Sequence, residues 1–154
     1  MCLIANCESS FIAQEDIQTY KAVFINTAEK EEGWYGIYFI QKHYPFDVVL
    51  TEKGCNEESM HKSTIRKTVE VEGGFFHSTT DVEDAKDIAG YRQYSGRHPI
   101  LGNTHGIGIG IVCKATIPKG SLCYRGANLS VLSLKRIAST QIIVHNPFKK
   151  EKEK

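Results

Sequence analysis

Residues 76–89, Phe76-His77-Ser78-Thr79-Thr80-Asp81-Val82-Glu83-Asp84-Ala85-Lys86-Asp87-Ile88-Ala89, run from strand-like to helix-like character and decide the fold class. Thr80 stands where an N-cap side chain accepts from the N–H groups of a first helical turn, and Glu83, three residues on, completes a capping box. Val82, Ala85, Ile88 and Ala89 then recur at helical spacing, with Arg92 at the edge of the same face. This predicts a helix from Asp81 to Tyr94 that presses the stripe on a sheet and turns Asp84, Lys86 and Asp87 to water.

Outward from this helix the regular patterns are strands. Residues 17–26 mix β-branched and aromatic side chains, residues 34–40 do the same, and residues 46–51 add a short third strand. Residues 52–62 read as a loop or a weak helix. Thr64 to Glu72 alternates imperfectly and stops at Gly73-Gly74, where a turn is easy to form. After a long loop over 95–106, strands are predicted at 107–117, at 121–125 beyond the Ile117-Pro118-Lys119-Gly120 turn, and from Arg136 to His145. The Gly106-x-Gly108-x-Gly110 run lacks dinucleotide-fingerprint spacing and precedes a strand, so it reads as structural. Strands dominate and do not alternate with helices, which gives α+β with a mostly antiparallel or split β-sheet and one main helix. Residues 1–146 form one domain, followed by a charged tail over 147–154 expected to be disordered.

Composition removes several function classes. Lys and Arg number 19 against 18 Asp and Glu, a net charge of +1, so no basic field favours nucleic acid or anionic lipid. No apolar run reaches the ~20 residues of a membrane span, and the start Met1-Cys2-Leu3-Ile4-Ala5 has no secretory pattern, which leads to a soluble, cytoplasmic expectation. The five cysteines make no Cys-x-x-Cys pair and no zinc-finger array, and their odd number argues for reduced thiols. Cys113 and Cys123 flank the Pro118-Gly120 turn, and the spacing leaves open whether they meet.

Three segments, Tyr20-Lys21, Phe76-His77-Ser78-Thr79-Thr80 and Ala138-Ser139-Thr140-Gln141-Ile142-Ile143, come in an order that resembles the nicotinamide-dinucleotide site of mono-ADP-ribosyltransferases. The likeness is to the Arg, Ser-Thr-Ser, Glu-x-Glu type, with Lys in place of Arg and Gln in place of the final Glu. It implies an ADP-ribosyltransferase-like fold and a cleft for NAD or an ADP-ribose-type nucleotide. Lys21 would give charge to a phosphate without an arginine's bidentate fork, Ser78 and Thr79 would give hydroxyl contacts, and His77 a donor at the rim. Gln141 would contact a ribose, with Ser139 two residues before it on the same strand face. Gln brings no negative charge to an oxocarbenium-like centre, a loss of ~2.7–4 kcal/mol in comparable sites, so the resemblance implies nucleotide or partner binding rather than transfer. The chain also looks like a family of small bacterial and phage proteins that share its Met-Cys-Leu start, Tyr20-Lys21 strand, Gly74-Phe75-Phe76-His77 segment, Asp84-Ala85 helix and Ile117-to-Gly120 turn; that likeness brings no activity with it.

Other chemistries rest on single features. Cys2, freed by loss of Met1, has the form of an N-terminal nucleophile. His61-Lys62-Ser63 and His77-Ser78-Thr79 resemble the paired His-x-Ser/Thr elements of two-histidine phosphodiesterases, at a shorter spacing. Cys113 or Cys123 with His105 would make a thiol–imidazole pair, and His98, His105 and Cys113 an irregular metal set. Trp34, Tyr35 and Tyr38 would anchor a protein partner if exposed. Against all of these stands a plain reading in which Tyr20, Phe75 and Phe76 are core aromatics, Ser78-Thr79 end a strand and Gln141 faces solvent.

Overall fold

The computed structural model describes residues 3–27, 32–36, 42–53, 62–63, 68–71, 75–90, 108–126 and 133–148. Within them lie twelve strands: β1 (Leu3–Ile12), β2 (Ile17–Asn26), β3 (Trp34–Gly36), β4 (His43–Tyr44), β5 (Leu50–Thr51), β6 (Lys62–Ser63), β7 (Thr68–Val71), β8 (Phe76–Thr79), β9 (Gly108–Ile117), β10 (Leu122–Gly126), β11 (Arg136–Ser139) and β12 (Gln141–Val144). One α-helix, α1 (Val82–Gly90), and a 3-10 turn at Ser133–Lys135 accompany them. Every strand pairing is antiparallel.

The fold is therefore largely β, and the α+β expectation is corrected. The physical reason is that a single nine-residue helix covers only part of one sheet face, while strands pairing with strands enclose the core. β1, which no alternation in Leu3-Ile4-Ala5-Asn6-Cys7-Glu8-Ser9-Ser10-Phe11-Ile12 announces, is held by its backbone ladders to β7 and β10, with an irregularity between Ala5 and Ser10. β6 and β7 extend the sheet beyond it.

The strand order runs β5-β12-β9-β2-β8-β11-β10-β1-β7-β6, with β3 on β2 beyond β8 and β4 on β3. The last strand predicted, Arg136 to His145, is broken in two at Thr140. Its first half, β11, lies between β8 and β10, and its second half, β12, lies between β5 and β9. One continuous segment thus joins both ends of the run β12-β9-β2-β8-β11 and folds the sheet around on itself. Thr140 makes the crossing in both directions: its N–H donates to the Leu122 carbonyl at 3.0 Å, and its Oγ1 accepts from the Leu122 N–H at 3.2 Å. Its carbonyl accepts from the Glu52 N–H at 2.8 Å.

Two layers of side chains follow from the alternation of strand faces. The enclosed side holds Val23, Ile25, Trp34, Phe46, Phe76, Cys113, Ala115, Ile142 and Val144, and further along it Ala13, Ile117, Cys123 and Ile137. On the other side of β2 and β9, Ala22, Phe24 and Tyr35 meet Ala89 and Ile88 of α1. Gly110 makes this contact close: a Cβ there would overlap the Ala89 carbonyl oxygen, so helix and strand backbones touch directly. The turn after β9 is closed by the Ser121 N–H donating to the Pro118 carbonyl at 3.2 Å, with Gly120 at a φ of 90°. It is a corner rather than a hairpin, since β9 pairs with β2 and β12 while β10 pairs with β1 and β11.

The helix start differs from its sequence reading in two ways. Asp81, not Thr80, is the cap: its Oδ1 accepts from the N–H groups of Glu83 at 2.9 Å and Asp84 at 3.3 Å. Thr80 instead donates its hydroxyl and its N–H to the Lys135 carbonyl. Asp84, expected in water, is buried and grips Arg136 at the start of β11, Nε donating to Oδ2 at 2.8 Å and Nη2 to Oδ1 at 2.7 Å. A parallel bridge runs from Lys135 Nζ to Asp81 Oδ2 at 2.8 Å. Ala85 and Ala89 are buried as the stripe required, and Val82 and Ile88 are half-buried.

The predicted helix end at Tyr94, the loop 95–106, the strand continuation over 37–40 and most of the tail (149–154) lie outside the described residues. Among the described residues no helix is long and apolar enough to cross a membrane.

Candidate functional site

A charged residue at the head of the apolar run Ala22-Val23-Phe24-Ile25 has to go to one face or the other, and the two-residue period it shares with Val23 and Ile25 sends Lys21 to the enclosed face. The full-length ladder between β2 and β9 sets it opposite Cys113. Its Nζ donates to the His77 carbonyl of β8 at 2.6 Å and lies 5.6 Å from the centre of the Trp34 ring. Trp34 stacks on Tyr44, whose ring meets Phe76 edge-on, so the amine abuts an aromatic wall.

No carboxylate comes within ion-pair distance of Lys21 among the described residues. Burial without a counter-ion disfavours the ammonium and lowers its pKa to about 8; the neighbouring Cys113 acts weakly the other way. At pH 7 about nine tenths of such amines remain protonated. The cation is retained, at a cost, against an aromatic face and one carbonyl. The residue as a whole is half-buried.

Two polar atoms around it are unsatisfied. Trp34 Nε1 and Ser78 Oγ are buried and have no hydrogen-bond partner. Trp34 is 1% exposed and Ser78 6%. Buried polar groups are paired in the great majority of cases, and leaving one unmade costs ~1–3 kcal/mol. Ser78 shares the enclosed face of β8 with Phe76, and because Tyr20 pairs with Thr79, the antiparallel register continued by one residue brings Lys21 opposite Ser78. The indole N–H and the ammonium only donate, while the hydroxyl can donate or accept. An acceptor would satisfy all three.

The five site residues singled out in the sequence do not all converge. Lys21 and Ser78 share the enclosed face, and His77 contributes its main-chain oxygen to Lys21 while its side chain belongs to the opposite face of β8. Thr79 Oγ1 accepts from the Asp81 N–H at 3.1 Å and so serves the start of α1. Gln141 alternates with the buried Ile142 and Val144 and faces outward, its Oε1 3.5 Å from Ser121 Oγ. The β9–β12 register, continued from Ile143 opposite Thr116, sets Gln141 five strand positions from Cys113, roughly 16 Å at ~3.3 Å per residue. Ser139 Oγ donates to the Gln141 carbonyl at 2.9 Å and faces inward. Trp34 and Tyr44, absent from the sequence-derived set, take the place beside Lys21.

Cys113 and Cys123 are free and buried, in separate parts of the enclosed side. Burial pushes their thiols up to about 12 and about 11, the reverse of an activated nucleophile. Trp34 and Tyr35 are buried and do not form a partner surface. Cys2, Tyr38, His61, His98 and His105, on which the other catalytic, metal and partner readings depend, lie outside the described residues. Among the described residues no group of three His, Cys, Asp or Glu could hold a metal ion.

A second polar cluster lies on the other face of β9. Thr116 Oγ1 is 2.8 Å from His145 Nε2, and His145 Nδ1 is 3.8 Å from Asp47 Oδ1, an order reminiscent of a nucleophile, base and orienting acid. The hydroxyl has one proton and donates it to Gln18 Oε1 at 3.1 Å, so it is not aimed at His145. Asp47, at a φ of 63°, also accepts from the Asn146 N–H at 3.1 Å. The cluster ties residues 145–148 to the sheet.

Comparison of the chain with protein-family models, with curated proteins and with solved structures returns no match. The function has to be argued from the residues.

Proposed function

We propose that the protein is a non-catalytic binding protein for an anionic small molecule, taken up against the enclosed face of β2 and β8, with phosphate-bearing nucleotides of the NAD or ADP-ribose type as the ligand class. The observation that carries this reading is the set of Lys21 Nζ, Trp34 Nε1 and Ser78 Oγ, each with a hydrogen to donate and two of them buried without partners. A phosphate oxygen satisfies each of them and supplies the counter-charge that Lys21 lacks. The aromatic wall of Trp34, Tyr44 and Phe76 gives a flat apolar group something to lie against. Absence of catalysis is supported by the company Lys21 keeps: its titratable neighbour Cys113 stays a thiol at neutral pH. Two buried free thiols favour a reducing compartment such as the cytoplasm.

Thermal denaturation with ADP-ribose, NAD⁺ and inorganic pyrophosphate tests the reading. A ligand at 100 times its dissociation constant stabilises the native state by ~2.7 kcal/mol. ADP-ribose is expected to raise the midpoint of the wild type and to leave Lys21→Ala unchanged, with Ser78→Ala giving a reduced shift. No shift with any of the three ligands would remove the nucleotide reading.

A further inference from the structure

We infer that residues 145–148 are a strap closed over the aromatic wall, that the Asp47 carboxylate is its latch, and that a ligand reaches the wall when the strap lifts. The inference rests on the proposed binding site and adds how that site opens. β12 ends at Val144, and the four residues that follow belong to no strand. The last of them, Phe148, is half-buried and packs against the cluster that holds Trp34, Phe46 and Phe76. Trp34 Nε1 and Ser78 Oγ are buried in this closed arrangement, so a ligand meets them only after a covering group moves. Phe148 is a covering group that no strand ladder holds in place.

What fastens the strap converges on Asp47. This is the one non-glycine residue with a left-handed φ among the described residues, at 63°, a conformation that aspartate tolerates better than most side chains. Held so, its Oδ1 accepts from the Asn146 N–H at 3.1 Å and lies 3.8 Å from His145 Nδ1, while its own N–H donates to the Val144 carbonyl at 2.9 Å. From the other side the His145 N–H donates to the Lys114 carbonyl at 2.9 Å, and Nε2 meets Thr116 Oγ1 at 2.8 Å. Asn146 Oδ1 accepts from the Phe148 N–H at 2.8 Å, a local turn that fixes the chain leading to the covering ring. Phe46, next to the latch, is buried in the cluster that Phe148 covers, so latch and lid meet at one place. The His145 and Asp47 side chains keep 43% and 39% of their surface, so water takes over their contacts when the strap lifts. Uncommon backbone conformations of this kind gather at clamps and switches.

Two substitutions separate latch from lid, and neither residue belongs to a strand. Asp47→Gly removes the carboxylate and suits the left-handed φ, and Phe148→Ala removes the covering ring. Acrylamide quenching of the single tryptophan, Trp34, reports how open the wall is, and both variants are expected to be quenched more strongly than the wild type. Amide exchange at His145, whose bond to the Lys114 carbonyl does not involve Asp47, is expected to run roughly tenfold faster in Asp47→Gly, the effect of one hydrogen bond to a charged group. ADP-ribose should associate with that variant faster by a similar factor, because more of the population is open. Asp47→Asn keeps an Oδ1 acceptor and tolerates the same φ, and is expected to behave as the wild type. Quenching in Phe148→Ala no stronger than in the wild type overturns the strap as a cover, and unchanged His145 exchange in Asp47→Gly overturns the latch. If the wall opens and ADP-ribose binds at an unchanged rate, the strap does not govern entry and the inference falls while the binding reading stands. If the wall opens and ADP-ribose binds none of the proteins, the strap stands as a cover of Trp34 and the nucleotide reading falls.

Discussion

Lys21→Met is expected to make the protein more stable at pH 7, by about 2–3 kcal/mol, although it removes a hydrogen bond and a cation–π contact. A lysine whose pKa falls from 10.5 to about 8 on folding resists protonation by about 3 kcal/mol, at ~1.4 kcal/mol per unit. Methionine has similar length, needs no counter-ion and fills the same space against Trp34. The pH dependence identifies the cause. Between about 8 and about 10.5 the unfolded chain holds a proton that the folded chain has released, so wild-type stability relative to the variant rises with pH across that window. The variant's advantage is full at pH 7 and gone above about 10.5. Cys113 and Cys123 oppose this trend, since their raised thiols stay protonated in the fold while unfolded thiols ionise near 8.5. The Cys123 contribution is common to both proteins, while the Cys113 thiol, which the Lys21 charge lowers, rises further in the variant and adds a smaller share to the difference curve. Urea denaturation of both proteins from pH 7 to 10.5 measures it, and a destabilised variant with no pH-dependent difference would mean that Lys21 is an ordinary structural cation.

Asp84→Ala is expected to destabilise by about 3 kcal/mol, near the lower end of the 3–5 kcal/mol typical when one partner of a buried pair is removed. Asp84 is 3% exposed, while the Arg136 side chain keeps 25% of its surface, so water compensates part of the loss. The pair joins the first turn of α1 to the start of β11, alongside the Asp81–Lys135 bridge and the Thr80 N–H bond to the Lys135 carbonyl. Removing it loosens the helix from the strand that closes the sheet. The Arg136 guanidinium holds the Asp84 carboxyl below its usual range, so this stability is present above about pH 4 and fades as the pH falls through the lowered value. Guanidinium denaturation at pH 7 and in acid checks both statements; a change below 1 kcal/mol at pH 7 would place the pair among ordinary surface bridges. The exposed Lys86–Glu83 pair is such a bridge and is not expected to matter.

How much could be read in advance depended on whether a signal was local. β2 was legible because Ala22-Val23-Phe24-Ile25 is apolar on both faces, as a strand covered on one side by a helix and on the other by the core must be. The helix was legible from Ala85, Ile88 and Ala89, but its cap was misplaced by one residue: Thr80 and Asp81 are both competent caps, and the long-range pull of the Lys135 carbonyl took Thr80. Asp84 looked solvent-facing for the same reason, since its partner is 52 residues away. β1 gave no alternation, and its place is fixed by ladders to β7 and β10. The break at Thr140 was invisible in a run where β-branched residues lie on both sides of it, and it is this break that turns a sheet with a helix into a closed, largely β fold.

The site was half legible. Lys21 and Ser78 were singled out by the order of the three motif segments. That they face each other follows from the β2–β8 register, which a motif order cannot supply. Gln141 and Thr79 carry the same residue types the motif wants, yet strand alternation turns both away from Lys21. Trp34 gave no sign, since an unpartnered indole N–H depends on everything packed around it.

Trp34 is also the only tryptophan in the chain, so its fluorescence reports on the Lys21 environment alone. Titrating the wild-type protein with ADP-ribose while recording that emission is the most direct test of the donor set as a binding site. A saturable change that is lost in Lys21→Ala and weakened in Ser78→Ala is the predicted result. Emission that stays constant up to millimolar ligand in a folded protein, with NAD⁺ and pyrophosphate giving the same flat response, would contradict it.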